Sequence, residues 1–356
     1  MMNKSSEWRI AGIVILPVRF VQGWIFWGGG SRRFIYDPSK LDPHAHEWMA
    51  NKLQSAMPGA ILGVDRIISF ILLHFDLLYT SIIIFSLVEL LGGLALITGF
   101  CTRFAAFTTT LVSITLMLAF GWQGATCMDE WTMAVATLAM GMTLTLSGAS
   151  AYSIDNLVAR RYPSLSQRWW FPLIASGPLN TKLFKRMTFI FMLFTIAFTL
   201  LTYNYYRGSI FTPYHSGPVS AGAHHISLSN GILKSDGTVA FTLYVDGGTP
   251  ALPSNIIRIE LLNVKKEIIM TWSGQLLRLL SSNDIQNMYA YNRMHTGQYG
   301  LVVPLSAKAI VTLPPVKSLA LSGTGYRLVI YTIDGNRFEM PLNGVKWGQI
   351  LTLPSD

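Results

Sequence analysis

Over its first two hundred positions the chain is made of long apolar runs separated by polar breaks. "IAGIVILPVRFVQGWIFWG" (10–28) is followed by runs at about 77–99, 104–121 and 131–148, and, after a loop of about forty residues, at 187–206. A helix of about twenty apolar residues crosses about 30 Å of hydrocarbon, so the pattern predicts four spanning helices and a fifth that stands apart. In the long segment 29–76, "ILGVDRIISFILLHF" has the spacing of an amphipathic helix lying against the bundle or the interface.

From residue 207 the period changes. "HISLSNGILKSDGTVAFTLYVDGG" and "YRLVIYTIDGNRFEMPL" alternate apolar and polar positions, and their Asn-Gly and Asp-Gly pairs read as turns between strands. The expected fold is therefore a membrane α-helical bundle, four helices plus one extra transmembrane helix, with a C-terminal all-β, sandwich-like domain outside. Residues 1–155 form the bundle, 156–186 a cytoplasmic connecting loop, 187–206 the fifth helix and 207–356 the β domain.

Composition narrows the class. With 51% hydrophobic and 13% charged residues, the chain does not suit a soluble protein of its size. Its net charge of +9 needs no nucleic-acid partner, because cytoplasmic Lys and Arg produce such an excess in a protein that lives in a lipid bilayer. The first run has no small-residue cleavage site and reads as an uncleaved anchor. The 149–186 loop carries Arg160, Arg161, Arg168, Lys182, Lys185 and Arg186, whereas 122–130 has no Lys or Arg. The bias puts the N-terminus and the 149–186 loop in the cytoplasm and the β domain outside a multi-pass cell membrane protein. Arg32, Arg33, Lys40, Lys52 and Arg66 lie in the long first outer loop and need another explanation.

Three groups of residues carry candidate chemistry. Measured from helix ends at Gly28 and Gly99, Arg19 and Glu89 lie about 14 and 15 Å deep, near mid-membrane on consecutive antiparallel helices. Ionisable groups there are costly unless paired: either they fix helix packing, or they form a proton or redox relay. A second group is the outer rim: Trp24, Trp27, Arg32, Arg33, His44, His46, Trp48, Trp122, Cys127 and Asp129. Trp at that depth commonly forms only an aromatic belt. The Gly28–Gly30 backbone with two guanidiniums suits a small anion or a lipid headgroup. His44 and His46 offer at most half a metal site. The third group is Cys101 and Cys127. They fall at opposite membrane faces about 30 Å apart, whereas a disulfide needs Cα atoms within about 7 Å. No dinucleotide, phosphate-loop, haem or paired-cysteine motif is present, and His74, the one histidine near a spanning helix, sits at a helix entrance. Redox work would run through substrates, a cysteine or a diffusible quinone, without metal, flavin or haem.

"VELLGGLALITGFCTRFAAF" resembles the E-x-x-G-G-x-x-L-x-x-G-x-x-T/C-R-x-A signature of the DoxX/DoxD membrane superfamily, and "LSGASAYSIDNLV" its fourth-helix ending. "LPVRFVQGWIFWGGGSRRF" is similar to the first helix of the DoxD branch, and "GLVVPLSAKAIVTL" with "YRLVIYTIDGNRFEM" to DoxA. The resemblance implies a DoxD–DoxA fusion of thiosulfate:quinone oxidoreductase type, in which two thiosulfates become tetrathionate and a membrane quinone takes two electrons. On that reading Arg32, Arg33, Arg103, Trp24 and Trp122 are candidates for binding thiosulfate. Arg19, Glu89 and Trp27 are candidates for binding quinone, and Cys127, Glu89, Arg19 and His74 for catalysis. Either Cys127 forms a sulfur adduct that a second thiosulfate resolves, or thiosulfate attacks the quinone ring itself. A non-catalytic scaffold and a sulfur-oxyanion transporter are the competing readings. The resemblance leaves open a homo-oligomer.

Overall fold

The computed structural model describes residues 4–124, 129–212, 223–316 and 325–344. Two compact units emerge: Met1–Ala50 with Gly59–Pro218, and Asn51–Pro58 with Val219–Asp356.

The first unit is helical. α1 (Lys4–Val14) and α2 (Leu16–Ser31) meet at a 53° bend. Pro17 lies in the first turn of α2, where its ring and missing N–H prevent straight continuation from α1. α3 (Met49–Ala56), most of which belongs to the second unit, is followed by α4 (Val64–Leu72), which buries Ile68 and Leu72 and exposes Ile67 and Phe70, as an amphipathic helix should. α5 (Phe75–Thr98), α6 (Thr102–Phe120) and α7 (Glu130–Ser147) complete the bundle. The short helices α8 (Ile154–Arg161), α9 (Pro163–Ser166) and α10 (Phe171–Ile174) lead to α11 (Thr181–Arg207).

α5, α6 and α11 are long and apolar enough to cross a membrane, and the bent α1–α2 pair makes a fourth span if taken together. α7, expected as a span, does not reach the same hydropathy among the described helices. It opens on Glu130 and carries Thr132, Thr137, Thr143 and Thr145. The last three satisfy their hydroxyls within the helix, on the carbonyls of Met133, Ala139 and Gly141. α11 leaves its apolar stretch almost wholly uncovered but touches α7, where the Trp131 indole donates to Thr202 at 3.0 Å.

The glycines at 28–30 do not end the first long helix. They are helical, and the backbone runs on into a π-helical turn, Arg32–Tyr36, closed by the Asp37 N–H on the Arg32 carbonyl at 2.6 Å. α2 and α5 run antiparallel at backbone contact. A methyl on Gly23 would stand 2.8 Å from the Ile97 nitrogen, one on Gly93 2.1 Å from the Trp27 nitrogen, and one on Gly30 2.5 Å from the Leu90 nitrogen. Small residues let helices approach this closely where lipid supplies no hydrophobic drive between them.

The second unit holds two sheets. One runs β11 (Asn343–Gly344), β1 (His225–Leu233), β2 (Val239–Gly247), β8 (Lys308–Leu313), β5 (Ile285–Asn287). The other runs β10 (Arg337–Pro341), β9 (Arg327–Thr332), β3 (Ser254–Leu262), β7 (Gly300–Val303), β6 (His295–Gly297), with β4 (Ile268–Ser273) also on β3; a one-turn helix, α12 (Gly274–Leu277), follows β4. β8 shows the period of two, burying Ala309, Val311 and Leu313. The Asp-Gly pairs at 236–237 and 334–335 are turns, with Gly237 and Gly335 at φ +89° and +84°. The Asn-Gly pair at 230–231, expected as a turn, is a bulge inside β1. Asn230 is at φ +53°, and the register slips between Ser229 and Ile232. A methyl on Gly231 would meet the Met340 side chain at 2.4 Å, so the bulge makes room for a β10 side chain.

Residues 51–58, which the sequence places with the helical bundle, pack instead with the strands. The Gln54 amide donates to the Ser306 carbonyl at 2.9 Å, and the Asn292 amide to the Asn51 carbonyl at 2.7 Å. These polar contacts follow no hydrophobic period, so nothing in the pattern announces them.

Candidate active site

Close packing of α2 on α5 sets the site. From Gly23 opposite Ile97 and Gly30 opposite Leu90, the antiparallel register carries Arg33 to the level of Ser86 and Glu89. The Arg33 guanidinium forms an ion pair with Glu89 Oε2, and the same nitrogen donates to Ser86 Oγ at 3.2 Å. Ser86 in turn donates to the Ile82 carbonyl at 2.7 Å. Both charged side chains are largely buried, 14% exposed for Arg33 and 7% for Glu89. Glu89 lies nine residues from Thr98 and fourteen from Phe75, so it is near the middle of α5. Glu89 therefore has an ion-pair partner in the middle of α5, but that partner is Arg33. The expected partner, Arg19, sits at the other end of the bundle, beside Gly99 and Tyr152. The expectation measured depth from a helix end at Gly28, and the helix actually continues through the glycines.

Those glycines shape the approach to Glu89. A methyl on Gly29 would stand 3.3 Å from Glu89 Oε2, and one on Gly28 would meet nothing within 4 Å. The buried carboxylate thus lies against Gly29, and Gly28 beside it faces open space. Trp27, next to Gly28 in the chain, is tilted against Trp24 at 4.9 Å between ring centroids and edge-on to Tyr36 at 6.3 Å. Arg32 is exposed and forms no ion pair among the described residues. The arrangement offers a free guanidinium, a paired one, a buried carboxylate and an aromatic wall. It can attract a small dianion and handle a proton.

A second polar cluster closes the end of the bundle where α5 meets α6. Asp155 accepts from the backbone N–H groups of Cys101 (2.7 Å) and Thr102 (3.0 Å) and from the hydroxyls of Thr102 (2.8 Å) and Ser176 (2.7 Å). It satisfies free donors at the start of α6. Arg19 donates to the Tyr152 carbonyl at 2.7 Å. Arg103 spends its donors on the carbonyls of Thr145 (3.1 Å), Leu146 (3.1 Å) and Pro172. These guanidiniums clamp helix ends at the face opposite to Arg32, which argues against the thiosulfate role expected of Arg103. Cys101, beside Asp155 at the same end, has its thiol pushed up by burial and then by that carboxylate, the reverse of what activates a nucleophile.

The remaining candidates scatter. Trp122 is 1% exposed, its ring over Gly59, where a methyl would sit 2.2 Å from the indole. Trp24 is exposed on the outer face of α2. His74 is an exposed N-cap residue of α5, its ring against Phe70. Fifteen residues of α5 separate it from Glu89, about 22 Å at 1.5 Å per residue, so the two do not meet. Asp129 pairs with Arg207 and caps α7. Cys127 lies outside the described residues. Among the described residues no three His, Cys, Asp or Glu side chains converge as a metal site would need.

A family model described as "TQO small subunit DoxD" matches residues 14–194, just over half of the chain. The chain belongs to the DoxD family. A second model, "TQO small subunit DoxA", matches residues 221–340, so the chain is a DoxD–DoxA fusion. TQO is thiosulfate:quinone oxidoreductase, and both regions tie the fusion to thiosulfate oxidation in sulfur metabolism. The DoxD match begins just before α2 and ends inside α11, so it contains every member of the Arg33–Glu89 site.

Sequence reasoning missed three residues here. Ser86 is a lone hydroxyl in an apolar run, one helical turn before Glu89, and that spacing was its only signal. Gln22 is fully buried in the DoxD bundle, donating to the Thr137 carbonyl at 3.0 Å while its own oxygen finds no partner among the described residues. Asp155 lies in "LSGASAYSIDNLV", and nothing in that sequence signals that its carboxylate ties the start of α6 to Ser176.

Proposed function

We propose that this DoxD–DoxA fusion is an enzyme that oxidises two thiosulfates to tetrathionate and passes the two electrons to a membrane quinone. The balance is 2 S2O3²⁻ + Q + 2 H⁺ → S4O6²⁻ + QH2. The observation that carries the reading is the buried Arg33–Glu89 pair held mid-helix against Gly29. Buried charges inside a membrane protein are costly and mark function more often than stability.

In this reading Arg32 draws the dianion, and Arg33 binds its sulfonate oxygens with the geometry of a guanidinium fork. The quinone ring lies on the side-chain-free surface of Gly28 and Gly29, against Trp27. Glu89 supplies protons to the quinone oxygens as electrons arrive, and Arg33 orients it. Thiosulfate sulfur attacks the ring, and the second thiosulfate displaces the quinol with formation of the central S–S bond. The alternative route through a Cys127 adduct has the same balance. Cys127→Ser separates the two, since only the adduct route stops.

For orientation, residues 51–58 belong to the loop between the first two long helices and share a unit with the strands, which supports placing that loop and the β domain on one side. The basic 149–186 loop supports putting the opposite side in the cytoplasm.

The test is turnover by the purified chain in detergent with thiosulfate and a short-chain quinone. The reading expects quinone loss and tetrathionate in equal amounts. A chain inert with both benzoquinones and naphthoquinones would instead favour a scaffold.

A further inference from the structure

We propose that the β unit carries a separate site for thiosulfate-type dianions, molecules with a sulfonate head and a polarisable sulfane sulfur. The ligand class rests on the thiosulfate-oxidising reading above; the site itself rests on geometry. A cleft of about 430 Å³ opens where the edge strands β5 and β6 of the two sheets part, joined by residues 288–294. Its volume is within the usual range for small-molecule sites. Met288, Tyr289 and Met294 are among its lining residues, the last two buried, and Arg293 and His295 stand exposed at its edge.

The loop is set in advance. Asn287 Oδ1 accepts from the Met294 N–H at 2.8 Å, and its Nδ2 donates to the Met294 carbonyl at 3.0 Å, closing the loop on itself. Asn292, in the left-handed region at φ +39°, donates its amide to the Asn51 carbonyl at 2.7 Å. Arg293 is thus held between two pinned neighbours, and its guanidinium has no hydrogen bond or ion pair among the described residues. His295 rests Nδ1 against the Arg293 carbonyl at 3.1 Å, with Nε2 unpartnered among the same residues. No carboxylate lines the cleft, and the neighbouring Asp284 is occupied by the Ser281 N–H and hydroxyl, at 2.8 and 2.7 Å.

The chemistry of the lining fits the ligand at both ends. A free guanidinium with an imidazole beside it suits sulfonate oxygens. Two methionine thioethers are soft, adaptable surfaces for sulfane sulfur. A plain sulfate would satisfy only the first, so the cleft should prefer thiosulfate and tetrathionate over sulfate.

The test is equilibrium binding of radiolabelled thiosulfate to the intact chain in detergent, without quinone. Arg293→Ala/His295→Ala is expected to lose one bound thiosulfate per chain, or to weaken that binding at least about tenfold. Arg33→Ala should keep that site, and an excess of sulfate should displace label from it poorly. Both exchanged side chains are exposed, so the melting temperature should hold, and Arg293→Lys should bind with intermediate strength. Wild-type binding by the double variant overturns the inference, as does equal displacement by sulfate. Because the readout is binding, the two proposals fail separately. A chain that turns over while its double variant binds normally refutes the cleft alone. A chain that binds at the cleft yet never reduces quinone refutes the enzyme alone.

Discussion

Gly28, Gly29 and Gly30 are chemically identical and physically different. Gly30 presses on the α5 backbone, Gly29 faces the Glu89 carboxylate, and Gly28 faces open space. Their neighbours Arg32 and Arg33 divide as well, one exposed and one paired. If Arg32 draws thiosulfate from solution, kcat/KM for thiosulfate should fall steeply with ionic strength in the wild type and weakly in Arg32→Ala; parallel salt curves would remove it from that role. Cys101 gives a pH prediction. Burial and Asp155 raise its pKa, so its thiol stays protonated at pH values where a free cysteine is already partly thiolate. In a Cys127→Ser background, alkylation by iodoacetamide should be slow at pH 8 and speed up only well into the alkaline range; fast labelling at pH 8 would contradict it. The sequence made Glu89 legible as a buried acid in the middle of an apolar helix, because a carboxylate in so apolar a run has few other readings. Its partner was not legible, since the partner depends on where α2 ends, and three glycines followed by two arginines look like an end.

At the scale of the element, the α2–α5 contact governs the site. Gly30→Ala puts a methyl 2.5 Å from a backbone nitrogen that cannot swing away, whereas Gly28→Ala meets open space. The first should destabilise the protein by about 1–3 kcal/mol and disturb the Arg33–Glu89 register; the second should leave the melting temperature unchanged or slightly raised. Equal melting temperatures for the two would mean the helices are not packed this tightly. Asp155→Ala strips four donors of their acceptor at the start of α6 and at Ser176, so thermal unfolding should come several degrees earlier. Helices and strands were readable because long apolar runs and strict alternation each have one physical solution. The bulge at Asn230-Gly231 was not, since the same dipeptide serves a turn or a bulge and the choice lies with Met340 on a distant strand.

At the scale of the molecule, one chain joins a DoxD bundle to a DoxA β unit, and residues 51–58 of the DoxD region are built into the β unit. The fusion was legible from its motifs, whereas that insertion rests on side-chain amides finding particular carbonyls, which no periodicity encodes. The most direct test of the account is steady-state kinetics of thiosulfate-dependent quinone reduction in Glu89→Gln and Arg33→Ala beside the wild type. Glu89→Gln, nearly the same shape without an exchangeable acid, should lower kcat about 10²-fold or more with little change in thiosulfate KM. Arg33→Ala should raise that KM at least about tenfold. Wild-type kinetics in both variants, with melting temperatures unchanged, would contradict the account and move the chemistry away from this pair.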